Sequence, residues 1–246
     1  MNTQNSIVDE HVINNKKSYQ YKNQKENVYI INLDRDKERW NIINNHLKDY
    51  DDSLNLIRFS AFYGKPGWIY CARSSLALIR MAREKNFPYI ITMQDDTIIT
   101  CYSKIFNIKF KKIMDYLKSN MDKWDIFNFN PSYLKIKSKQ KLTLVSKDPK
   151  IVSYSYGKTA NFIIFNRSSY DKMLELSKLY KNKNLDDYTN NAFDNRMCKL
   201  GLKHITCYPY LSDQRVSYSR LQNKVVNYNN GIKIKGMKFI KKKLRL

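Results

Sequence analysis

Three short and almost continuous apolar runs constrain what this chain can fold into more than any other feature of its sequence. They span Val28 to Leu33, Tyr89 to Met93 and Asn161 to Asn166, and each contains β-branched and aromatic residues. Runs of this length and composition are typical of strands that are buried on both faces of a sheet. Segments with helical spacing of apolar residues lie between them, for example Ser74 to Lys85. The alternation predicts the α/β class, with a mixed sheet flanked by helices.

The rest of the chain continues this alternation. Apolar or period-two segments predict further strands at Leu56–Ala61, Asp125–Asn130, Leu142–Val145 and His204–Tyr208. Helical spacing predicts further helices over Asp36–Lys48, Lys104–Ser119, Ser168–Tyr180 and Leu185–Leu200. The region from Lys135 to Lys150 is basic and lacks periodicity, so we expect a connection or a hairpin there.

The sequence divides into one domain and two polar ends. Residues 1–26 are polar and lack the apolar middle of a secretory signal, so we expect a loosely ordered arm. Residues 27–225 show no internal repeat and no long linker, which favours a single domain. Residues 226–246 form a basic tail. Its segment Ile232–Leu246 is either an amphipathic segment that lies on an anionic membrane or a short edge strand followed by a disordered end.

Positive charge dominates the composition, with 45 Lys and Arg against 22 Asp and Glu and a formal net charge of +23. Such a charge attracts nucleic acid, anionic membranes, phosphorylated glycans and nucleotides alike, and an AT-rich coding sequence also produces an excess of Lys. The four cysteines show no metal-binding spacing, and no run approaches the ~20 apolar residues that cross a bilayer. We therefore expect a cytoplasmic protein without a disulfide framework, with peripheral membrane contact through the tail as an open alternative.

Asp95 and Asp96 are the most informative polar residues, because they follow the apolar run Tyr89–Met93 after only Gln94. Open α/β sheets bind ligands at the carboxyl ends of their strands. Two adjacent carboxylates repel each other, and burial makes both charges costly unless a cation neutralises them. Mn²⁺ or Mg²⁺ accepts carboxylate oxygens while it bridges substrate phosphates. The pair therefore indicates a metal–phosphate site, with a simple turn as the alternative.

A series of short motifs occurs in a fixed order along residues 28–220. The motifs are Ile31-Asn32-Leu33-Asp34-Arg35 with Arg39, Ala61-Phe62-Tyr63-Gly64, Cys71 with Ser74, Gln94-Asp95-Asp96, Tyr154–Asn166, Asp186-Asp187, and Tyr208-Pro209 with Gln214 and Ser217–Ser219. In this order and spacing they resemble glycosyltransferase family 25, which includes lipooligosaccharide sugar transferases and procollagen galactosyltransferases. No single motif carries the resemblance.

The resemblance implies a GT-A fold, a Rossmann-like sheet that binds a nucleotide sugar. It also implies metal-dependent, inverting transfer from a nucleoside diphosphate sugar, expected to be a UDP-sugar, to a hydroxyl of a glycan or of a modified protein side chain. Asp96 and Asp95 are the implied ligands of Mn²⁺ or Mg²⁺, and Asp186 or Asp187 is the implied general base. The implied donor-binding residues are Asn32, Leu33, Arg39, Ala61, Gly64, Ser74 and Asp95.

Four positions depart from the family's usual pattern. Gln94 replaces Glu, Ser75 replaces His, Tyr70 replaces Gly and Tyr208 replaces His. The loss of an acid at position 94 lowers the expected affinity for a metal. A second protein ligand is not evident, and His204 and Asp213 are the nearest candidates for it, although a histidine in a short apolar strand is more often a core residue.

Two other classes of function compete with sugar transfer. A basic nucleic-acid-binding protein accounts for the charge and the aromatic content, but no recognition motif supports specific nucleic-acid binding. A catalytically silent relative that binds a glycan or a partner protein accounts for the replacements at Gln94 and Ser75.

Overall fold

A computed structural model describes residues 25–132, 134, 141–181, 185, 187–219, 224–226 and 232–246. The strands are β1 (Glu26–Asn32), β2 (Leu54–Ser60), β3 (Tyr89–Gln94), β4 (Thr97–Ile99), β5 (Ile126–Asn128), β6 (Leu142–Lys147), β7 (Lys150–Tyr154), β8 (Phe162–Asn166), β9 (His204–Cys207), β10 (Ser212–Gln214), β11 (Ser217–Ser219) and β12 (Lys224–Val226). The helices are α1 (Lys37–Leu47), α2 (Gly67–Glu84), α3 (Ser103–Ser119), α4 (Tyr170–Leu179), α5 (Tyr188–Asn191), α6 (Phe193–Met197) and α7 (Ile232–Leu244).

Eight strands form one mixed sheet in the order β2-β1-β3-β8-β5-β9-β7-β6. β2, β1 and β3 are parallel to one another, and β8 runs antiparallel between β3 and β5. The carboxyl ends of β1, β2 and β3 therefore meet at one edge of the sheet, where β8 begins. The predicted α/β class, with a mixed sheet flanked by helices in a single domain, is confirmed.

Helices cover both faces of the sheet, which explains why its central strands are almost continuously apolar. In β1, Val28 and Ile30 point to a core that also contains residues of α1 and α3. Tyr29 and Ile31 point to the other face, where they pack with residues of α2, α4 and α6. Successive residues of a strand face opposite sides, so both sets must be apolar when both faces are covered.

Helix α7 packs on the outer hairpin of β6 and β7. Ile240 is fully buried in a cluster with Tyr154 and Tyr210, and Met237 and Leu244 pack against the same cluster. The predicted edge strand in this segment is wrong, because its apolar residues repeat at helical spacing and cover the hairpin. No helix among the described residues is long and apolar enough to cross a membrane.

Two helix boundaries differ from the prediction. Helix α2 begins at Gly67 rather than Ser74, because Pro66 is extended and Trp68 and Ile69 already contribute to the buried face. At the other end of the domain, the helix expected over Leu185–Leu200 is two short helices, α5 and α6.

The break between α5 and α6 falls at Ala192, whose ψ angle of 143° is that of extended chain. The hydroxyl of Tyr180 donates a hydrogen bond of 2.8 Å to the carbonyl oxygen of Asn191. That carbonyl would otherwise accept from an N–H group of the continuing helix. A contact with the end of α4, 11 residues earlier, therefore accompanies the break, without a Gly or Pro to mark it.

The ends of the chain differ in part from the predicted boundaries. Strand β1 already begins at Glu26, within the segment 1–26 that we expected to be an arm. The remainder of that segment, residues 1–24, lies outside the described residues. The basic tail 226–246 is joined to the domain through the packing of α7.

Candidate active site

A cleft of about 570 Å³ lies at the carboxyl ends of β1, β2 and β3. One wall consists of the turn after β2 and the beginning of α2, and the opposite wall consists of the segment before β8 with α5 and α6. This is the edge of the sheet at which α/β proteins bind their ligands. Of the residues predicted to bind donor or metal, six line the cleft: Leu33, Arg39, Ala61, Gly64, Asp95 and Asp96.

Asp95 is held in place by two neighbours. The amide of Asn32 donates to its Oδ2 at 2.7 Å, and Nε of Arg39 donates to its Oδ1 at 2.9 Å. A terminal guanidinium nitrogen of Arg39 also contacts Oδ1. Asn32 is itself buried and does not line the cleft. Both carboxylate oxygens of Asp95 therefore accept hydrogen bonds from the protein itself, and these bonds fix the end of β3.

Asp96 differs sharply from its neighbour. Its Oδ1 atom is buried and has no hydrogen-bond partner among the described residues. Burial raises the pKa of its carboxyl group, while the charge of Arg39 and a hydrogen bond from Gln214 partly oppose that rise. The nearest guanidinium nitrogen of Arg39 is 3.6 Å from Oδ2. A buried carboxylate oxygen without a partner is costly, so this atom is suited to accept a cation.

At this edge the described residues offer few ligands to a divalent metal. Asp96 offers one oxygen, whereas the oxygens of Asp95 are already bonded to Asn32 and Arg39. Across the described part of the chain, no group of three or more His, Cys, Asp or Glu side chains is placed to hold a metal ion. Mg²⁺-like ions are often held by one or two carboxylates together with substrate phosphates and water. The residues present fit a metal of that kind.

The turn after β2 is shaped by its contacts with α2. Gly64 lies so close to the ring of Tyr70 that a Cβ atom at position 64 would be 2.1 Å from the ring carbon Cζ. Ser74 lies behind the turn rather than in the cleft. Its hydroxyl accepts a hydrogen bond of 2.8 Å from the backbone N–H of Phe62 and donates one of 2.8 Å to the carbonyl oxygen of Tyr70. Ser74 thus fixes the turn from outside the cleft.

The opposite wall presents an acid that sequence analysis missed. Asp194 lines the cleft near the start of α6. Its Oδ2 accepts a hydrogen bond of 3.0 Å from the backbone N–H of Thr159, and its Oδ1 accepts one of 2.9 Å from the N–H of Asn195. Two backbone donors therefore hold the carboxylate in a fixed orientation. The sequence does not identify Asp194 as a site residue, because it lies inside a segment that we expected to be one continuous helix.

Thr159 is held in an unusual conformation that suits this contact. Its φ angle is +83°, a value that residues other than Gly rarely adopt. Its hydroxyl donates to Oγ of Ser132 at 2.6 Å, and its carbonyl oxygen accepts from the amide of the buried Asn128 at 2.7 Å. The strain is thus held by bonds on both sides, as is common where a backbone group serves a site.

Aromatic rings connect this wall to the beginning of α2. Trp68 packs edge-on against Tyr188, with 5.9 Å between ring centroids, and both residues line the cleft together with Phe193. Tyr188 is 43% exposed. This wall offers flat apolar surface beside the carboxylate of Asp194, a combination that suits a sugar or another ring-shaped ligand.

Of the two residues predicted as the general base, the structure describes only Asp187. Asp187 is exposed and begins α5, where its Oδ1 accepts from the backbone N–H of Asn190 at 3.1 Å. It also accepts from the side-chain amide of Asn190 at 2.5 Å, and it is not among the described residues that line the cleft. Asp186 lies outside the described residues.

His204 is separated from the acidic pair by the length of the sheet. It pairs with Ile126 in β5, which pairs with Phe165 in β8, which in turn pairs with Ile90 in β3. Asp95 follows Ile90 by five residues, a distance of about 16 Å along a strand. Burial lowers the pKa of His204 to about 4. The structure therefore does not bring this histidine to the pair, and it is a neutral core residue.

Three of the four departures from the family's pattern lie at the cleft: Gln94 and Tyr70 line it, and Ser75 lies just behind it. Gln94 lines the cleft, and its amide contacts Sγ of Cys71 at 3.6 Å. Burial raises the pKa of the Cys71 thiol to about 12, so this thiol stays protonated at neutral pH. Ser75 is buried behind the cleft, where its hydroxyl donates to the carbonyl oxygen of Cys71 at 3.2 Å.

Comparisons with known proteins support the fold. A glycosyltransferase involved in the glycosylation of the major capsid of PBCV-1 superposes with a TM-score of 0.50 and 10% identity, over 81% of this chain and 97% of that chain. The glycosyltransferase GlyE of Streptococcus pneumoniae gives a TM-score of 0.41 and 10% identity, over 75% and 45% of the two chains. No protein-family model matches the sequence, and neither does any curated protein. The first superposition shows that the chain has the fold of a GT-A glycosyltransferase.

Proposed function

We propose that this protein transfers a glycosyl group from a nucleoside diphosphate sugar to a hydroxyl group. The observation that carries the proposal is the unpartnered, buried oxygen of Asp96 at the carboxyl end of β3, inside a cleft that also presents Asp194. Following the family resemblance, the donor is a UDP-sugar of the hexosyl type and the transfer is inverting. The acceptor is a glycan or a modified protein side chain.

The donor's phosphates are expected to lie near the acidic pair. Asp96 would hold Mn²⁺ or Mg²⁺ there, and the metal would supply charge screening for the diphosphate leaving group. Among the cations of the cleft, Arg35 lies over the ring of Tyr63 in the turn after β2, and Lys65 belongs to that turn, so we assign both to contacts with the donor's phosphates. Arg39, which the resemblance implies in donor binding, also lines the cleft, and its bond to Asp95 lets it position that carboxylate as well.

Asp194 is our candidate for the general base. A base must accept the proton of the acceptor hydroxyl from a fixed position, and the N–H groups of Thr159 and Asn195 provide that fixation. Inverting transfer requires the acceptor to attack from the side opposite the leaving diphosphate. Asp194 belongs to the wall formed by α5 and α6, whereas Asp96 follows β3. We therefore assign Asp194 to the acceptor hydroxyl and Asp96 to the leaving diphosphate.

The donor half of the proposal is tested by thermal stability with UDP, GDP, CMP and their common sugars, each with Mn²⁺ and with a chelator. A ligand that binds only the folded state raises the melting temperature. We expect a Mn²⁺-dependent rise with one nucleotide that is lost in Asp96→Asn and retained in Asp187→Asn, an acid outside the cleft. No rise with any nucleotide, together with salt-sensitive binding of generic nucleic acid, would reject the proposal in favour of a nucleic-acid-binding protein.

The base is tested separately, once a donor is known, by turnover of the donor with candidate acceptors. Asp194→Asn should reduce turnover by about 10²–10⁴-fold and leave the nucleotide-induced stabilisation intact. Asp187→Asn is the matched control and should turn over normally. The opposite pattern would return the base role to the start of α5. Donor binding without any turnover in the unmodified protein would identify a silent relative.

A further inference from the structure

The outer side of α7 carries a compact group of positive charges. Lys235, Lys238, Lys241 and Lys242 are all exposed. Successive residues of a helix are rotated by about 100°, which places these four within an arc of about 120° along the helix. The segment Ile232–Leu244 contains no acidic residue. We call these four lysines the basic face.

No ion pair among the described residues involves the basic face. Two exposed lysines of α3 differ in this respect. On α3, Lys111 lies 3.8 Å from Asp115, and Lys112 lies 2.8 Å from Asp148 in the β6–β7 turn. The charges of the basic face are therefore exposed to solvent and are not neutralised by ion pairs within the described part of the domain.

The apolar side of α7 faces the protein. Ile240 is completely buried, and Met237 and Leu244 pack on the same cluster. This side cannot enter a lipid bilayer while the helix stays docked. One apolar side chain remains on the charged side, since Ile234 is 52% exposed and falls within the arc of the basic face.

We infer that the basic face of α7 binds an anionic lipid surface. Clustered lysines next to one another on a helix are attracted to anionic headgroups, and a single exposed aliphatic side chain among them reaches the boundary of the acyl chains. Single-stranded nucleic acid is bound by cations together with exposed aromatic rings, and the arc of the basic face contains no aromatic residue. The combination of cations with Ile234 therefore favours lipid.

Helix α7 lies close to the cleft, so a lipid contact through the basic face would place the cleft near the membrane surface. A Cβ atom at Gly236 would lie 3.4 Å from the hydroxyl of Tyr210 and 4.0 Å from the carbonyl oxygen of Pro131. Pro131 precedes Ser132, which lines the cleft on the side of Asp194. The helix thus adjoins the side of the cleft that we assign to the acceptor. The lipid contact itself does not depend on that assignment.

The test is sedimentation of the full-length protein with vesicles of phosphatidylcholine alone and with vesicles that contain about one-third phosphatidylserine. We expect binding only to the anionic vesicles, with loss at high salt. Replacing Lys235, Lys238 and Lys242 together by Gln should weaken this binding by about a hundredfold. The matched control replaces Lys104, Lys111 and Lys112 of α3 by Gln, which removes the same charge from another exposed surface.

Three results would overturn the inference. The first is absence of binding to anionic vesicles. The second is equal weakening by the α7 and α3 variants, which would mean that net charge alone acts. The third is binding of duplex DNA through the basic face in preference to vesicles at the same salt, which would assign the face to nucleic acid. None of these assays requires turnover, so their outcome is independent of the proposed transferase activity.

Discussion

Replacing Arg39 by Met is expected to destabilise the fold more than any other single change at the acidic edge. The side chains of Arg39 and Asp95 are only 20% and 10% exposed, and Arg39 is also 3.6 Å from Asp96. Removing this cation leaves two largely buried carboxylates next to each other, and among the described residues only Arg215 still acts on Asp96 as a counter-charge. Breaking a buried ion pair by removing one partner costs about 3–5 kcal/mol. For a domain of this size, that loss lowers the melting temperature by about 10 °C.

The assay is equilibrium unfolding in urea at neutral pH, with Asp95→Asn and the double variant measured alongside. Because the double variant no longer buries an unpaired Asp95 charge, it should be more stable than the sum of the single changes predicts, by at least about 1 kcal/mol. Lys111→Met is the control. Its partner Asp115 lies 3.8 Å away at the surface, with side chains 75% and 64% exposed. Such a pair contributes about 0.5 kcal/mol or less.

Mn²⁺ provides a second arm of the same experiment. A divalent cation offers the counter-charge that the variant lacks, so we expect Mn²⁺ to stabilise Arg39→Met more than the unmodified protein. A loss of less than about 1 kcal/mol in Arg39→Met would refute the reasoning, since it would mean that water screens the pair. Additivity of the Arg39 and Asp95 changes would refute it as well, because the two side chains would then not be energetically coupled.

Three further changes test other parts of the structure. Gly64→Ala should push the Tyr70 ring into the cleft, because the new Cβ would lie 2.1 Å from Cζ of that ring. Titration calorimetry should then show a loss of nucleotide binding. Adding Tyr70→Ala to the same variant should restore the binding. Ser74→Ala leaves the N–H of Phe62 without its acceptor and should cost about 1–3 kcal/mol in urea unfolding. The pKa of His204 falls from 6.5 to about 4 on burial, so only the unfolded state is protonated between these values. Stability should therefore decrease as pH falls through this range, by about 3 kcal/mol at its lower end, and melting scans of His204→Phe should show a smaller decrease.

The parts of the structure that depend on local sequence could be predicted. The runs Val28–Leu33, Tyr89–Met93 and Asn161–Asn166 are apolar at most of the positions that the sheet buries, so both their strand character and their central place follow from the residues. The place of Asp95 and Asp96 at the edge of the sheet follows from the end of the second run.

The parts that depend on contacts between distant residues could not be predicted. The break at Ala192 accompanies a hydrogen bond from Tyr180, and the orientation of Asp194 depends on the backbone of Thr159 in another segment. Nothing in the local sequence around Asp194 distinguishes it from an acid on the outside of a helix. The tail was ambiguous for a related reason, since only the apolar surface of the β6–β7 hairpin decides which side of α7 is covered.

The contrast between Asp95 and Asp96 bears most directly on mechanism, because the two residues are chemically identical neighbours with different partners. Asn32 and Arg39 engage Asp95, so that carboxylate is neutralised within the protein and fixes the end of β3. The same ion pair keeps Arg39 away from the buried Oδ1 of Asp96, which stays available to a ligand. Substitutions at this edge should therefore affect either the stability of the fold or the binding of a ligand, depending on the residue that is changed. Changes to Arg39 or Asp95 act mainly on unfolding, whereas Asp96→Asn removes a buried charge without a full partner and acts mainly on binding.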